Sequence, residues 1–124
     1  MARLWLLLSA VAGFTGVGLG AFAAHGLKQV LSPAYLTVFQ TGTHYHLLHA
    51  LALLGVGALA IQRPSRLLNL AGGCFALGIV LFAGSLYALT LSGMSALGMI
   101  TPIGGVSFLL GWLCLGLAAW KHGV

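Results

Sequence analysis

Four long apolar runs, residues 4–24, 43–61, 67–90 and 102–120, are separated by short stretches of polar, glycine and proline residues. A helix crosses the hydrocarbon layer with about 20 mainly apolar residues, so each run predicts one span. The chain therefore reads as a single integral membrane domain covering 1–124, an all-α, antiparallel four-helix transmembrane bundle. The first run follows Met1-Ala2-Arg3 and contains Ala21-Phe22-Ala23, which resembles a secretory signal. It is longer than the roughly 7–15 apolar residues of a signal core, so we read it as the first span.

The connections carry their own signals. His25-Gly26-Leu27-Lys28-Gln29-Val30-Leu31 predicts a short amphipathic helix lying in the interface between spans one and two. Ser32-Pro33 opens the next helix, with serine as N-cap and proline in the first turn. A helix from Pro33 to Ile61 would exceed the hydrocarbon thickness, so a bend at Gly42 is expected, with span two starting near Thr43. Gln62-Arg63-Pro64-Ser65-Arg66 is a turn, and Leu91 to Ile100 predicts a loop or re-entrant corner held against the membrane. Thr101-Pro102 repeats the cap-then-proline pattern before span four. Gly13, Gly16 and Gly20 share one side of span one, where Gly16-x-x-x-Gly20 lets another helix of the same bundle approach closely. A shift of 62 residues superposes Gly16 on Gly78, Leu19 on Leu81, His25 on Tyr87 and Leu27 on Leu89. A sequence this rich in Gly, Ala and Leu also produces such matches without duplication.

Composition narrows the chemistry. With 60% hydrophobic and 4% charged residues the chain lies far from soluble domains, which carry about a quarter charged residues. There is no Asp or Glu, so carboxylate dyads, carboxylate metal sites and carboxylate proton relays are excluded, and a non-enzymatic role is the reading. Five basic residues scattered between apolar runs form no nucleic-acid surface, and the partner they fit is the lipid headgroup layer. Arg3, Arg63, Arg66 and Lys121 fall on one side and Lys28 on the other, which predicts both termini in the cytoplasm of a multi-pass inner-membrane protein. Trp5 and Trp120 are expected as an aromatic belt on that side, with Tyr35, Tyr45 and Tyr87 opposite.

Polar chemistry concentrates in Thr43-His44-Tyr45-His46-Leu47-Leu48-His49. On a helix His46 and His49 share a face with Gly42 and Leu53, whereas His44 points elsewhere. The topology predicts that His25, Tyr45, His46, His49, Ser85, Tyr87 and Thr101 gather between helices near the outer face. That cluster has two readings: hydrogen bonds that hold helices together, or a ligand-binding pocket. Imidazole also suits zinc, copper, iron and haem, which makes His25, His46 and His49 the metal candidates, with a haem or transition metal as the cofactor. A conduit for protons or small solutes is the further alternative. Cys74 and Cys114 read as inert buried thiols.

Four blocks then carry a resemblance: Gly20-Ala21-Phe22-Ala23-Ala24-His25-Gly26-Leu27, Tyr45-His46-Leu47-Leu48-His49-Ala50-Leu51-Ala52-Leu53-Leu54, Phe82-Ala83-Gly84-Ser85-Leu86-Tyr87, and Ile100-Thr101-Pro102-Ile103-Gly104-Gly105 through Gly111-Trp112. In this order they resemble the YgdD/YwdK-like family of small uncharacterised membrane proteins, the domain of unknown function 423. The resemblance implies a four-span bacterial inner-membrane protein without an assigned activity, with His25, Tyr45, His46, His49, Ser85, Tyr87, Thr101 and Pro102 among the family positions. Where the family often carries an acidic residue before the histidines, this chain has Gln40 and Thr41. The resulting expectation is an accessory or ligand-binding protein, acting alone, as a homo-oligomer or within a larger membrane complex.

Overall fold

The computed structural model describes residues 1–122. Helix α1 is Ala2–His25, α2 Pro33–Gln62, α3 Arg66–Gly78, α4 Gly84–Ser92 and α5 Thr101–His122. A π-helical turn over Ile79–Ala83 joins α3 to α4, so Arg66–Ser92 forms one continuous 27-residue span. All four spans have the length and hydropathy to cross a membrane. They run antiparallel, with α1 along α2, α2 against α3 and α4, and α5 along α3 and the π turn.

Local chemistry explains most boundaries. The amide of Tyr35 donates to Ser32 Oγ at 3.2 Å, which caps α2 with Pro33 in its first turn. Ser65 does the same for α3 by accepting from the Leu68 amide at 3.1 Å. Gly93 ends α4 in the left-handed region at φ 76°, where its amide donates to Leu89 O and a side chain would be strained.

Several expectations change here. The segment after α1 is a single 3-10 turn, Leu27–Gln29, in place of an amphipathic interfacial helix. Leu27 is buried against Ala23 and Phe39, so packing into the bundle, rather than partition to a surface, sets its place. Helix α2 is helical through Gly42, beginning at Pro33 and running for 30 residues, about 45 Å. The missing side chain at Gly42 serves contact instead, since a Cβ there would lie 3.1 Å from the Tyr87 ring. Thr101 lies inside the first turn of α5 instead of capping it, and its hydroxyl turns to Ser85. Trp5 is no belt residue either: it is 5% exposed, sits over Gly72, and donates from Nε1 to Asn69 Oδ1 at 3.0 Å, joining α1 to α3. Of the segment 91–100, Leu91 and Ser92 finish α4 and Ser95–Met99 form a 3-10 turn between Gly93 and α5.

Glycines set the distance between helices. A Cβ added at Gly16 would meet Leu47 and His46, and one at Gly20 would meet Thr43, so this pair packs α1 on α2 within one molecule. In the second half Gly78 receives the ring of Phe108, Gly111 that of Phe75, and Gly104 rests on the backbone of Phe82. The two hairpins, α1–α2 and α3/α4–α5, share one register. Gly16 meets His46, and 62 residues on Gly78 meets Phe108. Ala23 packs with Phe39, and Ser85 bonds Thr101. Leu36 packs on the group containing Leu27, and Gly98 lies against Leu89. A duplicated hairpin requires this coincidence, which the amino-acid matches alone left open.

Candidate functional site

The polar side chains form three separate groups rather than one. His46 and His49 are the fourteenth and seventeenth residues of the thirty in α2, so both sit at mid-length of the helix. Both are almost fully buried, at 5% and 2% exposure. Imidazoles removed from water at this depth need partners for every polar atom. Among the described residues no buried side-chain nitrogen or oxygen lacks one.

His49 is saturated. Its Nδ1 lies 2.8 Å from Tyr45 O, which can only accept, so Nδ1 carries the hydrogen. Its Nε2 lies 3.1 Å from Trp112 Nε1, which can only donate, so Nε2 presents its lone pair. The ring stacks on Phe108 with centroids 3.6 Å apart and planes 9° apart, while Phe75 packs at 5.5 Å. Tyr45 completes the box, its ring 4.9 Å from Phe82 and its edge against the exposed His44. One tautomer satisfies both partners, and no nitrogen is left for a ligand. This histidine binds α2 to α5.

His46 has partners of another kind. Nδ1 lies 2.8 Å from the Tyr87 hydroxyl and Nε2 3.2 Å from Thr15 Oγ1. Thr15 is also 2.9 Å from Val11 O and 3.2 Å from Ala12 O. A threonine hydroxyl has one hydrogen. When that hydrogen serves a carbonyl, Thr15 accepts from Nε2–H, and Tyr87 O–H donates to Nδ1. The group thereby ties α1, α2 and α4 together.

The third group is Ser85 and Thr101, with hydroxyls 2.5 Å apart. Ser85 donates to Phe82 O at 2.9 Å, so it accepts from Thr101. Phe82 belongs to the π turn, whose wider winding frees main-chain groups of this kind.

His25 joins none of these. It is exposed at the end of α1 and bonds Ala21 O of its own helix at 2.9 Å. The expected set of His25, His46 and His49 is therefore not assembled around one point. Among the described residues no three His, Cys, Asp or Glu side chains are grouped to hold a metal ion. Cys74 and Cys114 are free thiols, and the Cys74 carbonyl accepts from Ser107 at 2.7 Å.

Beside His46 opens a cleft of about 240 Å³. Leu8, Val11, Ala12 and Thr15 of α1 form one wall, His46 and Leu53 the floor, and Ala76, Ile79 and Val80 the other wall. Val11 and Val80 are mostly exposed, so the cleft opens sideways between them toward lipid. Among the described residues Thr15 and His46 are its only polar lining, and they mark the end nearer the α1–α2 connection.

Two participants escaped the sequence reading. Thr15 and Ser9 are the only hydroxyl residues of α1, and Thr15 immediately precedes Gly16 on the close-packed side. Trp112 is the twelfth of 22 residues in α5, too far from either end for an interfacial belt, and an indole N–H among apolar spans calls for an acceptor.

The family model "Protein of unknown function (DUF423)" matches residues 19–105. The chain is 43% identical to the UPF0382 membrane protein YwdK of Bacillus subtilis over 97% of this chain and 98% of that one. It is 42% identical to a UPF0382 membrane protein of Haemophilus influenzae over 98% and 97% of the two chains. With the UPF0382 inner membrane protein YgdD of Escherichia coli it shares 45% identity over 90% of this chain and 85% of the other. No solved structure matches. A glycine-packed bundle of four membrane spans, alike over nearly its whole length to those proteins, belongs to the DUF423 family of membrane proteins.

Proposed function

We propose that this chain is a non-enzymatic binding protein of the membrane interior, taking one small, neutral, mainly apolar molecule from the bilayer into the cleft beside His46. The carrying observation is the pairing of Thr15 and His46 at one end of an otherwise apolar, laterally open cleft. Apolar walls with few convergent polar groups are what a small-molecule site requires. No Asp or Glu exists in the chain, and no Lys or Arg lines the cleft, so a charged ligand would be desolvated without compensation. The excess of Arg and Lys at the end holding both termini supports a cytoplasmic location for that end.

The test is the organic extract of protein purified from its own membranes. Wild type is expected to carry a defined low-molecular-weight species near equimolar amount, absent from an Ala76→Trp variant whose indole fills the cleft. Identical extracts containing only bulk phospholipid would remove the proposal.

A further inference from the structure

We infer that the cleft ligand is an uncharged one-ring alcohol or phenol whose O–H donates to Thr15 Oγ1; the inference rests on the cleft reading above. Ketones and other compounds whose oxygens only accept gain no hydrogen bond there. Size sets the ring count. A cavity of about 150 Å³ takes benzene, so about 240 Å³ leaves room for one ring and small substituents.

The preference for a donor follows from where the hydrogens at the polar end already point. Thr15 Oγ1 lies 2.9 Å from Val11 O and 3.2 Å from Ala12 O, carbonyls of its own helix, and 3.2 Å from His46 Nε2. A hydroxyl has one hydrogen, and the nearest acceptor, Val11 O, takes it. Thr15 therefore accepts from His46, whose Nε2 carries the ring hydrogen. The Ala12 carbonyl is a further partner of His46 and can only accept, which requires the same N–H. Nδ1 then presents its lone pair to the Tyr87 hydroxyl 2.8 Å away, and that hydroxyl donates. The hydrogens of Thr15, His46 and Tyr87 are thus all engaged within the protein. What Thr15 retains is its second lone pair, on an exposed residue that lines the cleft. Among the described residues the rest of the lining is apolar apart from His46, so a ligand oxygen that only accepts meets no free donor. A ligand O–H meets the Thr15 oxygen and leaves every bond within the protein in place.

The experiment titrates three probes of one shape, 1-phenylethanol, acetophenone and ethylbenzene, into full-length protein in lipid nanodiscs. After correction for partition into lipid, 1-phenylethanol is expected to bind about two- to tenfold more tightly than ethylbenzene, the range of one net hydrogen bond. Acetophenone should bind no more tightly than ethylbenzene. Thr15→Val keeps the shape and removes the acceptor, so the advantage of the alcohol should disappear while ethylbenzene binds as before. Thr15→Ser, which restores the hydroxyl, should restore the advantage. An alcohol that binds no better than ethylbenzene, a ketone that binds more tightly than ethylbenzene, or an advantage that survives Thr15→Val would each overturn the inference and leave the cleft standing. Failure of all three to bind, or binding that Ala76→Trp does not affect, would remove the cleft itself.

Discussion

The two hairpins place different groups at matching positions. Gly16 faces His46 where Gly78, 62 residues later, faces Phe108. The second hairpin is thereby filled with rings, Phe75 against Trp112 and Phe82 against Phe108, and Phe108 also lies on His49 of the first. The first keeps an imidazole held by hydroxyls at the rim of a cleft. Glycine spacing sets how closely two helices approach, and the residue opposite decides whether the contact is packing or chemistry.

Alanine at the matched positions Gly104 and Gly42 tests this contrast most strongly. At Gly104 a Cβ would collide with the Phe82 amide nitrogen, and main chain cannot turn aside. At Gly42 the nearest atom is a Tyr87 ring carbon at 3.1 Å, which can shift by tenths of an ångström. Gly104→Ala is expected to cost about 3 kcal/mol or more and Gly42→Ala about 1 kcal/mol, read from SDS titration of purified protein. Equal losses would mean that the contact of α5 with the π turn inside the second hairpin is no tighter than the contact of α2 with α4 between the hairpins.

Next in size is His49→Leu. Leucine fills much of the volume but leaves the Trp112 N–H without an acceptor in a site shielded from water, and removes the stack on Phe108. The two effects together predict a loss of about 2–3 kcal/mol. His46→Phe, which installs the residue found at the matching place in the second hairpin, should cost only about 1–2 kcal/mol, the size of a net hydrogen bond to the Tyr87 hydroxyl. The same titration ranks both. A larger loss at His46 than at His49 would reverse the roles assigned to the two histidines.

The fold was legible because apolar length and loop chemistry are local properties: four runs of about 20 residues and a Ser-Pro start need no knowledge of neighbours. The shared face of Gly42, His46, His49 and Leu53 was legible for the same reason, and all four are buried. Partners were not. Nothing in His44-Tyr45-His46-Leu47-Leu48-His49 distinguishes a ring that meets an indole from one that meets two hydroxyls, since Trp112, Thr15 and Tyr87 come from three other parts of the chain. The helix bounds were harder to read: the expected span began near Thr43, whereas α2 begins at Pro33 and carries both histidines half-way along its length.

The smallest expected effect concerns Ser85 and Thr101, the pair that replaces Ala23 and Phe39 of the first hairpin. Ser85→Ala installs the residue of the matching position and removes a buried hydroxyl whose two partners are both able to adapt. Phe82 O is a main-chain carbonyl in the π turn, and Thr101 lies in the first turn of α5, where carbonyls of the preceding turn are within reach of a threonine hydroxyl. Contacts of this kind between membrane helices average about 0.6 kcal/mol in double-mutant cycles. Ser85→Ala, Thr101→Val and the double variant should therefore give a coupling of about that size by SDS titration. A coupling above about 2 kcal/mol would show that hydroxyls, rather than glycine contacts and aromatic rings, lock the second hairpin, and the difference between the two halves would then have to be drawn elsewhere.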